Sequence, residues 1–523
     1  MIACALVGTL TLLPYIFGLT GRLLGSHWRG KSLQRREVLL QRAATEEVKR
    51  TPPLLDEEWE KVDSDRATAP STPPAPQPVQ EDGSFQGVIG FFHPFCNAGG
   101  GGERVLFAAI LATQRKYPRA LCVIYTGDHD ASKEQILANA KARFNISLNP
   151  ARVCCLYLTT RSWVLASTWP YFTLLGQSLG SLMLGCDAFQ LLAPDIFVDT
   201  MGYAFVLRLC KWLFPAVPTG AYVHYPTIST DMLNSLHDET EGRGLNAGSG
   251  KGFKGLAKRI YWQFFAKLYS WVGSSIDVVM TNSTWTQRHI TSLWGGGKGE
   301  TLIVYPPCAV EELQHKIPVT PESEELRKCN LVYIAQFRPE KMHHVIIDAF
   351  NLFLSSNRDL AKRLNPQLVL VGSVRDDHDE KRVYRLRLQA QEIKKNVKFV
   401  INAKWEQILD ALKTSTVGVN GMWNEHFGIG VVEYQAAGLI AVVNDSGGPK
   451  EDIVIEVDGK PTGFRATTPE EFADGFAQAL NLGSDETLAM RIRARKNSWR
   501  FSEQVFAEAW TRRMEQLVDR ARK

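Results

Sequence analysis

No C-x-x-C pair occurs among the nine cysteines of this chain, so the spacing of a zinc site or a dithiol redox motif is missing. An odd, scattered set also argues against a disulfide framework and fits a reducing compartment. Cys154 and Cys155, adjacent on an apolar run, read as core. A surplus of one charge is lacking too. With 60 basic and 55 acidic residues the net charge is +5, which leaves no footprint for nucleic acid. What remains is an ordinary globular composition, 45% hydrophobic and 22% charged, in 523 residues. That is too long for one core and predicts two or three folding units.

Charge is also absent from residues 1–21, and a helix of that length spans roughly 30 Å, the hydrocarbon thickness of a bilayer. Arg22, Arg29, Lys31, Arg35 and Arg36 follow it, where a cleaved signal peptide would carry its positive charge in front. We therefore expect an uncleaved anchor at 1–25 with the bulk of the chain on the cytosolic side. Residues 33–48 read as a short helix of mixed charge. Residues 51–85 are rich in proline and too poor in apolar periodicity to fold, so 26–85 is a basic juxtamembrane segment followed by a tether. The uncharged stretch 162–186 holds many Ser, Thr, Gly and Gln residues and predicts a surface helix or a buried hairpin rather than a span. With 203–218 and 261–272, both aromatic with interspersed basic residues, it is a candidate for membrane contact.

From residue 87 onward, short apolar runs alternate with helical patterns. Strands are expected at 87–92, 121–125, 153–157, 196–199, 220–224, 278–281 and 302–305, then again at 330–335, 368–372, 397–400, 416–420 and 439–444. Runs such as VCCLY, apolar without alternation, are what strands covered on both faces look like. In the second half, helices fit 342–355, 379–395, 405–413, 430–437 and 469–482, and 485–523 is charged and helix-favouring. The polar residues 311–327, with Pro318 and Pro321, form a natural hinge. The fold class is α/β: two Rossmann-like domains, 86–315 and 316–500, facing a cleft, followed by a C-terminal helix at 501–523.

Chemistry gathers at the ends of these strands. Gly99, Gly100, Gly101 and Gly102, followed by Glu103 and Arg104, lie between the first strand and a helix, where bare backbone suits an anion. The loop is not G-x-G-x-x-G and does not end in G-K-[ST], so neither a dinucleotide nor a P-loop reading is supported. After the strand NLVYIA come Arg338, a planar fork, and Lys341, a point charge, together suited to a diphosphate. Then Glu425 and Glu433 are separated by seven residues. The intervening glycines permit a loop whose amides can bond a sugar, and Glu433 on the following helix can accept both ribose hydroxyls. Asn444-Asp445-Ser446-Gly447-Gly448-Pro449 is a further strand-end turn.

The FRPEK run at 337–341, the Glu425/Glu433 element and the GGGGER loop together resemble the GT-B glycosyltransferases that retain anomeric configuration. The FFHPFCNA run before that loop, His224-Tyr225-Pro226 and NEHFGIGVVEYQAAG are similar to the α-1,2-mannosyltransferases of dolichol-linked oligosaccharide assembly. The resemblance runs from about residue 86 to the C-terminus and carries no function onto the tether. It implies transfer from GDP-mannose to trimannosyl-chitobiosyl-diphosphodolichol, adding the fourth and fifth mannoses on the cytosolic face of the endoplasmic reticulum membrane. It implies that Arg338 and Lys341 hold the diphosphate and stabilise its charge as it leaves, Glu433 the ribose and Glu425 the mannose hydroxyls. Phe427, Gly428 and Ile429 complete the donor site. His224 lies near the anomeric centre, and Gly100, Gly101 and Gly102 approach the phosphates or the acceptor. Front-face departure, with the leaving diphosphate oxygen as base, accounts for retention. No cofactor or metal is expected: Asp128-His129-Asp130 and Asp377-His378-Asp379 read as solvated loops, not as metal-holding pairs. The sequons at Asn145 and Asn282 stay bare on a cytosolic body. The expected partners are the lipid-linked oligosaccharide, the membrane and other mannosyltransferases of the pathway. Two readings stay open beside this one, a related membrane-surface enzyme with another acceptor or donor sugar, and an inactive scaffold.

Overall fold

The computed structural model describes residues 2–50, 85–235, 252–295 and 300–523, and the tether at 51–84 lies outside them. Seven strands, β1 (Val88–Phe92), β2 (Leu121–Thr126), β3 (Val153–Tyr157), β4 (Ile196–Asp199), β5 (Thr219–Val223), β6 (Val278–Thr281) and β7 (Thr301–Ile303), form a sheet in the order β3-β2-β1-β4-β5-β6-β7. A second sheet is drawn from β8 (Lys328–Ile334), β9 (Gln367–Gly372), β10 (Val397–Ile401), β11 (Ser415–Asn420) and β12 (Ile440–Asn444). After a hairpin of β13 (Glu456–Val457) and β14 (Lys460–Pro461), β15 (Gly463–Ala466) completes it in the order β10-β9-β8-β11-β12-β15. Every pair in the second sheet is parallel. Both orders reverse direction beside their first strand, between β1 and β4 and between β8 and β11, and this is where doubly wound sheets bind ligands. β1, β2, β4, β5 and β6 are buried along their whole length, which explains their largely apolar sequences.

The expected strands are present to within a few residues, and three were missed. β13 and β14 are two residues each, and β15 reads GFRA, too short and too polar to stand out. The second half differs in smaller ways. The helix expected at 379–395 runs Asp377–Gln389 and tightens into a 3₁₀ turn, and 485–523 is two helices, Ser484–Ser498 and Glu503–Arg522. Residues 311–327 form the short helices Val310–Lys316 and Pro321–Glu324, packed through buried Leu313 and Ile317.

The chain divides into two compact units, one of Met1–Ala221, Ser275–Val278 and Trp510–Lys523, the other of Tyr222–Ser274 and Val279–Ala509. In the first, the short helix expected at 33–48 is instead part of one helix, Ile2–Arg50, because no strong stop signal interrupts 26–48. The side chains of residues 2–13, and with them half of the expected anchor, are outside the described residues. Among the described residues no helix is long and apolar enough to cross a membrane. From Phe17 onward this helix lies on the α/β body. The Trp212 indole N–H donates to the Phe17 carbonyl at 2.9 Å, and the two rings stack at 4.8 Å. Arg36 donates to the Asp195 carboxylate at 2.7 Å, which also accepts from the Val88 amide at the start of β1. Close approach requires Gly21 and Gly25: a Cβ on Gly25 would fall 2.0 Å from the Leu213 carbonyl oxygen, while nothing lies within 4 Å of one on Gly30.

The uncharged stretch 162–186 is a hairpin of two 3₁₀ turns, Arg161–Val164 and Ala166–Thr168, folded back on the helix Thr173–Leu191. Gly176 and Gly180 leave room for Trp169 and for the Trp163 backbone, and Tyr171 and Phe172 stand exposed at the tip. The C-terminal helix closes this unit's core, with the Trp510 ring 6.3 Å from Phe91 and its N–H on the Thr113 hydroxyl at 3.0 Å. The helix contacts give a test with opposite signs. Gly30→Ala should raise stability by about 0.5–1 kcal/mol through helix propensity. Gly25→Ala should lower it by about 1–3 kcal/mol through overpacking. Denaturant midpoints of the full-length chain measure both.

Candidate active site

β8 and β11 are neighbours, and the ion pair of this site draws one partner from beyond the carboxyl end of each. After β8 the chain turns through Arg338 into the 3₁₀ segment Pro339–Lys341 and leaves it at Met342 with φ 52°. The buried Tyr333 hydroxyl donates to the Lys341 carbonyl at 2.6 Å and fixes that turn. After β11, Asn420 accepts from the Met422 amide at 3.0 Å and starts the loop to Glu425. Lys341 Nζ meets Glu425 Oε2 at 2.5 Å, and Asn420 Nδ2 donates to the same oxygen at 3.4 Å.

The third strand end forms the floor of this loop. Gly448 N donates to the Glu425 carbonyl at 2.8 Å, and the Ser446 hydroxyl accepts from the Asn424 amide at 2.7 Å. A Cβ on Gly447 would sit 2.2 Å from the Glu425 carbonyl oxygen, so the turn after β12 has to be glycine for the two loops to touch. Burial alone would raise the Glu425 pKa. The charge and hydrogen bond of Lys341, with help from His426 and Asn420, outweigh it and hold the carboxyl below its ordinary range. Burial pushes His426 down to about 4, so its imidazole is neutral at pH 7. Its ring stacks on Tyr225 at 5.1 Å and lies 5.1 Å from Trp285.

The structure thus brings Lys341 and Glu425 into contact, with Arg338 three residues away. Arg338 has an ionic neighbour, Glu340 at 3.8 Å, and its Nε is buried without an acceptor among the described residues, an arrangement that a phosphate oxygen would satisfy. Glu433 is half-buried one turn into the helix Ile429–Ala436, which Gly428 opens with φ 107°. The Phe427 side chain packs against Tyr305 and Phe501, so what it offers a ligand is backbone, and Ile429 is half-buried beside it. His224 follows β5, its ring 5.0 Å from Tyr222. Gly100, Gly101 and Gly102 belong to the first unit, where the Glu103 carboxylate accepts from the Gly100 amide at 2.8 Å and the Ala98 amide at 3.1 Å.

Sequence reasoning missed Asp231, Trp285, His289 and Asn424, which meet behind Glu425; Trp285 and His289 are one helical turn apart, but no spacing links that pair to Asp231 or to Asn424. It also mistook two carboxylates for solvated ones. Asp128 is buried and accepts from Arg161 and from the Asn97 amide at 3.0 Å, and Asp379 is buried beside Arg375. A polar stretch does not reveal that turn amides and arginines need an acceptor. Asn282 is buried as well, before the Ser283 cap of the helix Thr284–Trp294, so its sequon is closed in the folded chain.

Two solved structures share the architecture. Anabaena HepE, crystallised with UDP and glucose, is 16% identical with a TM-score of 0.55 over 82% of this chain and 99% of its own. The α,α-trehalose 6-phosphate synthase of Burkholderia multivorans is 13% identical with a TM-score of 0.59 over 83% and 99%. Residues 319–498 match the family described as "Glycosyl transferases group 1". Fold and site define a glycosyltransferase of the two-domain GT-B type.

Residues 86–294 match the family described as "ALG11 mannosyltransferase N-terminus". A Neurospora crassa protein named "GDP-Man:Man(3)GlcNAc(2)-PP-Dol alpha-1,2-mannosyltransferase" is 55% identical over 97% of this chain and 94% of its own. Proteins of the same name from Mus musculus and Homo sapiens are 46% and 44% identical over 84% of this chain and 89% of theirs. The chain belongs to the GDP-Man:Man(3)GlcNAc(2)-PP-Dol alpha-1,2-mannosyltransferase family.

The ion pair has a pH signature. Because the folded pKa of Glu425 is depressed, its stabilising contribution is present above the unfolded value and is lost as pH falls through the folded one. Lys341→Met leaves burial unopposed. The stability gap between variant and wild type should be about 1–3 kcal/mol at pH 7 and close only as the pH falls through the depressed folded pKa of Glu425. Denaturant titrations from pH 7 downward measure it.

Proposed function

We propose that this chain transfers mannose from GDP-mannose in α-1,2 linkage, with retention, to trimannosyl-chitobiosyl-diphosphodolichol, adding the fourth and fifth mannoses of the N-glycan precursor. The observation that carries the reading is the Lys341–Glu425 contact at the carboxyl ends of β8 and β11, with Arg338 three residues before Lys341 and its buried Nε without an acceptor among the described residues. Arg338 and Lys341 hold the diphosphate and stabilise the charge that develops as it departs. Glu425, kept ionised, accepts from mannose hydroxyls. Glu433 accepts from the ribose, and the backbone at Phe427, Gly428 and Ile429 lines the donor. His224 lies near the anomeric carbon, and Gly100, Gly101 and Gly102 approach the phosphates or the acceptor.

Retention follows from front-face attack. The C–O bond to the diphosphate breaks, the acceptor hydroxyl adds on the same face, and its proton passes to the leaving phosphate oxygen. A glycosyl adduct trapped on Glu425 would sink this. Because two side-chain cations stand at the diphosphate position, no metal is required, and transfer should persist undiminished in EDTA.

Residues 86–315 take the acceptor and face the membrane, and 316–500 hold the nucleotide sugar. Residues 1–25 anchor the chain in the endoplasmic reticulum membrane with the body on the cytosolic face. Support comes from the uncharged sequence 1–21, from exposed Tyr15, Ile16, Leu19 and Leu23 on the same helix, and from the helix Gly252–Gly273. That helix exposes Phe253, Ile260, Phe264 and Trp271 and carries Lys254, Lys258 and Lys267.

The test is transfer in detergent from labelled GDP-mannose to a trimannosyl lipid-diphosphate. Growth by one or two α-1,2 mannoses is expected, with kcat/KM reduced about a hundredfold in Glu433→Ala, which loses hydrogen bonds to a charged acceptor. Transfer from a UDP-sugar and not from GDP-mannose would overturn the donor assignment.

A further inference from the structure

Three donors, two from the helix Thr284–Trp294 and one from the loop before Glu425, converge on one oxygen behind the proposed sugar site. Asp231 Oδ2 accepts from the Trp285 indole N–H at 3.2 Å and from the Asn424 side-chain amide at 2.9 Å, and His289 Nε2 stands 3.4 Å away. The other ring nitrogen of the buried His289 is 2.7 Å from the Thr230 hydroxyl, on the residue before Asp231, so the imidazole is fixed at both ends. Asp231 Oδ1 makes no hydrogen bond among the described residues. The three contacts thus need one acceptor oxygen of this side chain.

Asn424 has a reason to be held. Its backbone lies at φ 50°, in the left-handed region where a side chain is under strain. Its amide N–H is taken by Ser446 and its side chain by Asp231, so it is gripped from both sides. The next residue is Glu425, whose carboxylate meets Lys341 at 2.5 Å. Rotation of the Asn424 peptide toward an ordinary φ would swing that carboxylate away.

We propose that Asp231 is a positioning residue for sugar transfer: through Asn424 it fixes the left-handed turn that aims Glu425 at the donor sugar. The inference rests on Glu425 as the sugar-binding carboxylate and goes beyond that reading by assigning a role to a residue 194 positions earlier in the chain. Asp231 acts as a hydrogen-bond acceptor here, and its charge is secondary. An asparagine can present an oxygen to the same three donors and point its amide toward the open side, whereas alanine cannot.

The experiment compares Asp231→Asn, Asp231→Ala and Glu425→Gln in the full-length enzyme, reading kcat for mannose transfer and, separately, the affinity for GDP. Asp231→Ala should lower kcat about a hundredfold, the usual cost of a catalytic group displaced by an ångström. GDP binding should not weaken by more than about twofold, because Arg338, Lys341 and Glu433 are untouched. Asp231→Asn should keep kcat within about fivefold of wild type. If Asp231→Asn is as impaired as Asp231→Ala, the carboxylate acts by its charge or as a base, and the positioning role is overturned. Wild-type kcat in Asp231→Ala overturns it as well, and so does a parallel loss of GDP binding. Should Asp231→Ala not fold, Asn424→Ala carries the same test. Alanine is strained in the left-handed turn and offers no amide to Asp231, so kcat should fall there too, and an unchanged kcat also rejects the proposal. Full transfer by Glu425→Gln would reject the reading of the site itself, and loss there with normal Asp231→Ala activity would reject the positioning role alone.

Discussion

One half-buried ion pair, Lys341 with Glu425, organises the second unit's site. Each partner depends on the other, since a carboxylate or an ammonium taken from water alone would shift its pKa and neutralise. The sheet order makes the meeting unavoidable. β8 and β11 are adjacent and parallel, so both chains leave the sheet at the same end, side by side. A diphosphate arriving at Arg338 and Lys341 would compete for the ammonium that Glu425 now holds. Glu425 would stay ionised only if another donor replaced it, and sugar hydroxyls are such donors. Binding of the nucleotide part and of the sugar part are thereby coupled through one carboxylate.

Glycine works here by absence. Gly447 and Gly448 let the turn after β12 lie against the backbone of Glu425 and Phe427, with a Cβ on Gly448 falling 2.5 Å from the Phe427 Cα. The loop bearing Glu425 is therefore supported from beneath by main chain, from the side by Lys341, and at its strained residue by Asp231. The backbone of that loop is held in place by the fold itself. That is the preorganisation on which electrostatic stabilisation of a departing diphosphate depends.

Much of this was legible in the sequence, for a definite reason. Arg338, Lys341, Glu425 and Glu433 follow directly after apolar runs that can only be covered strands, and residues after parallel strands gather at one end of a sheet. The Asp231 cluster was not legible. Thr230, Trp285 and His289 carry no spacing relation to Asn424, and the contact exists only once the second unit has folded. β15 was lost because GFRA has neither length nor apolar character. Its place beside β12 is dictated by the sheet, which needs a sixth strand to cover the flank of β12. Asp128 was misjudged for the opposite reason: a polar neighbourhood looks wet in sequence, yet here its polar atoms are spent on one another.

The first unit shows why composition and core can divide a chain differently. A change of composition near residue 500 marks off a charged terminal helix, and its residues from Trp510 onward count among the first unit's contacts. Trp510 is fully buried between Phe91 on β1 and Thr113 on the next helix, and Lys116 pairs with Glu515 at 2.8 Å. Removing that helix would open a cavity the size of an indole in a core whose other residues lie some four hundred positions earlier. At the other end, the helix Ile2–Arg50 meets the start of β1 through Asp195, which takes Arg36 and the Val88 amide on one carboxylate. β1 is thus braced by a helix at each of its ends, one from the first fifty residues and one from the last twenty. The glycine loop that follows β1 inherits its position from both.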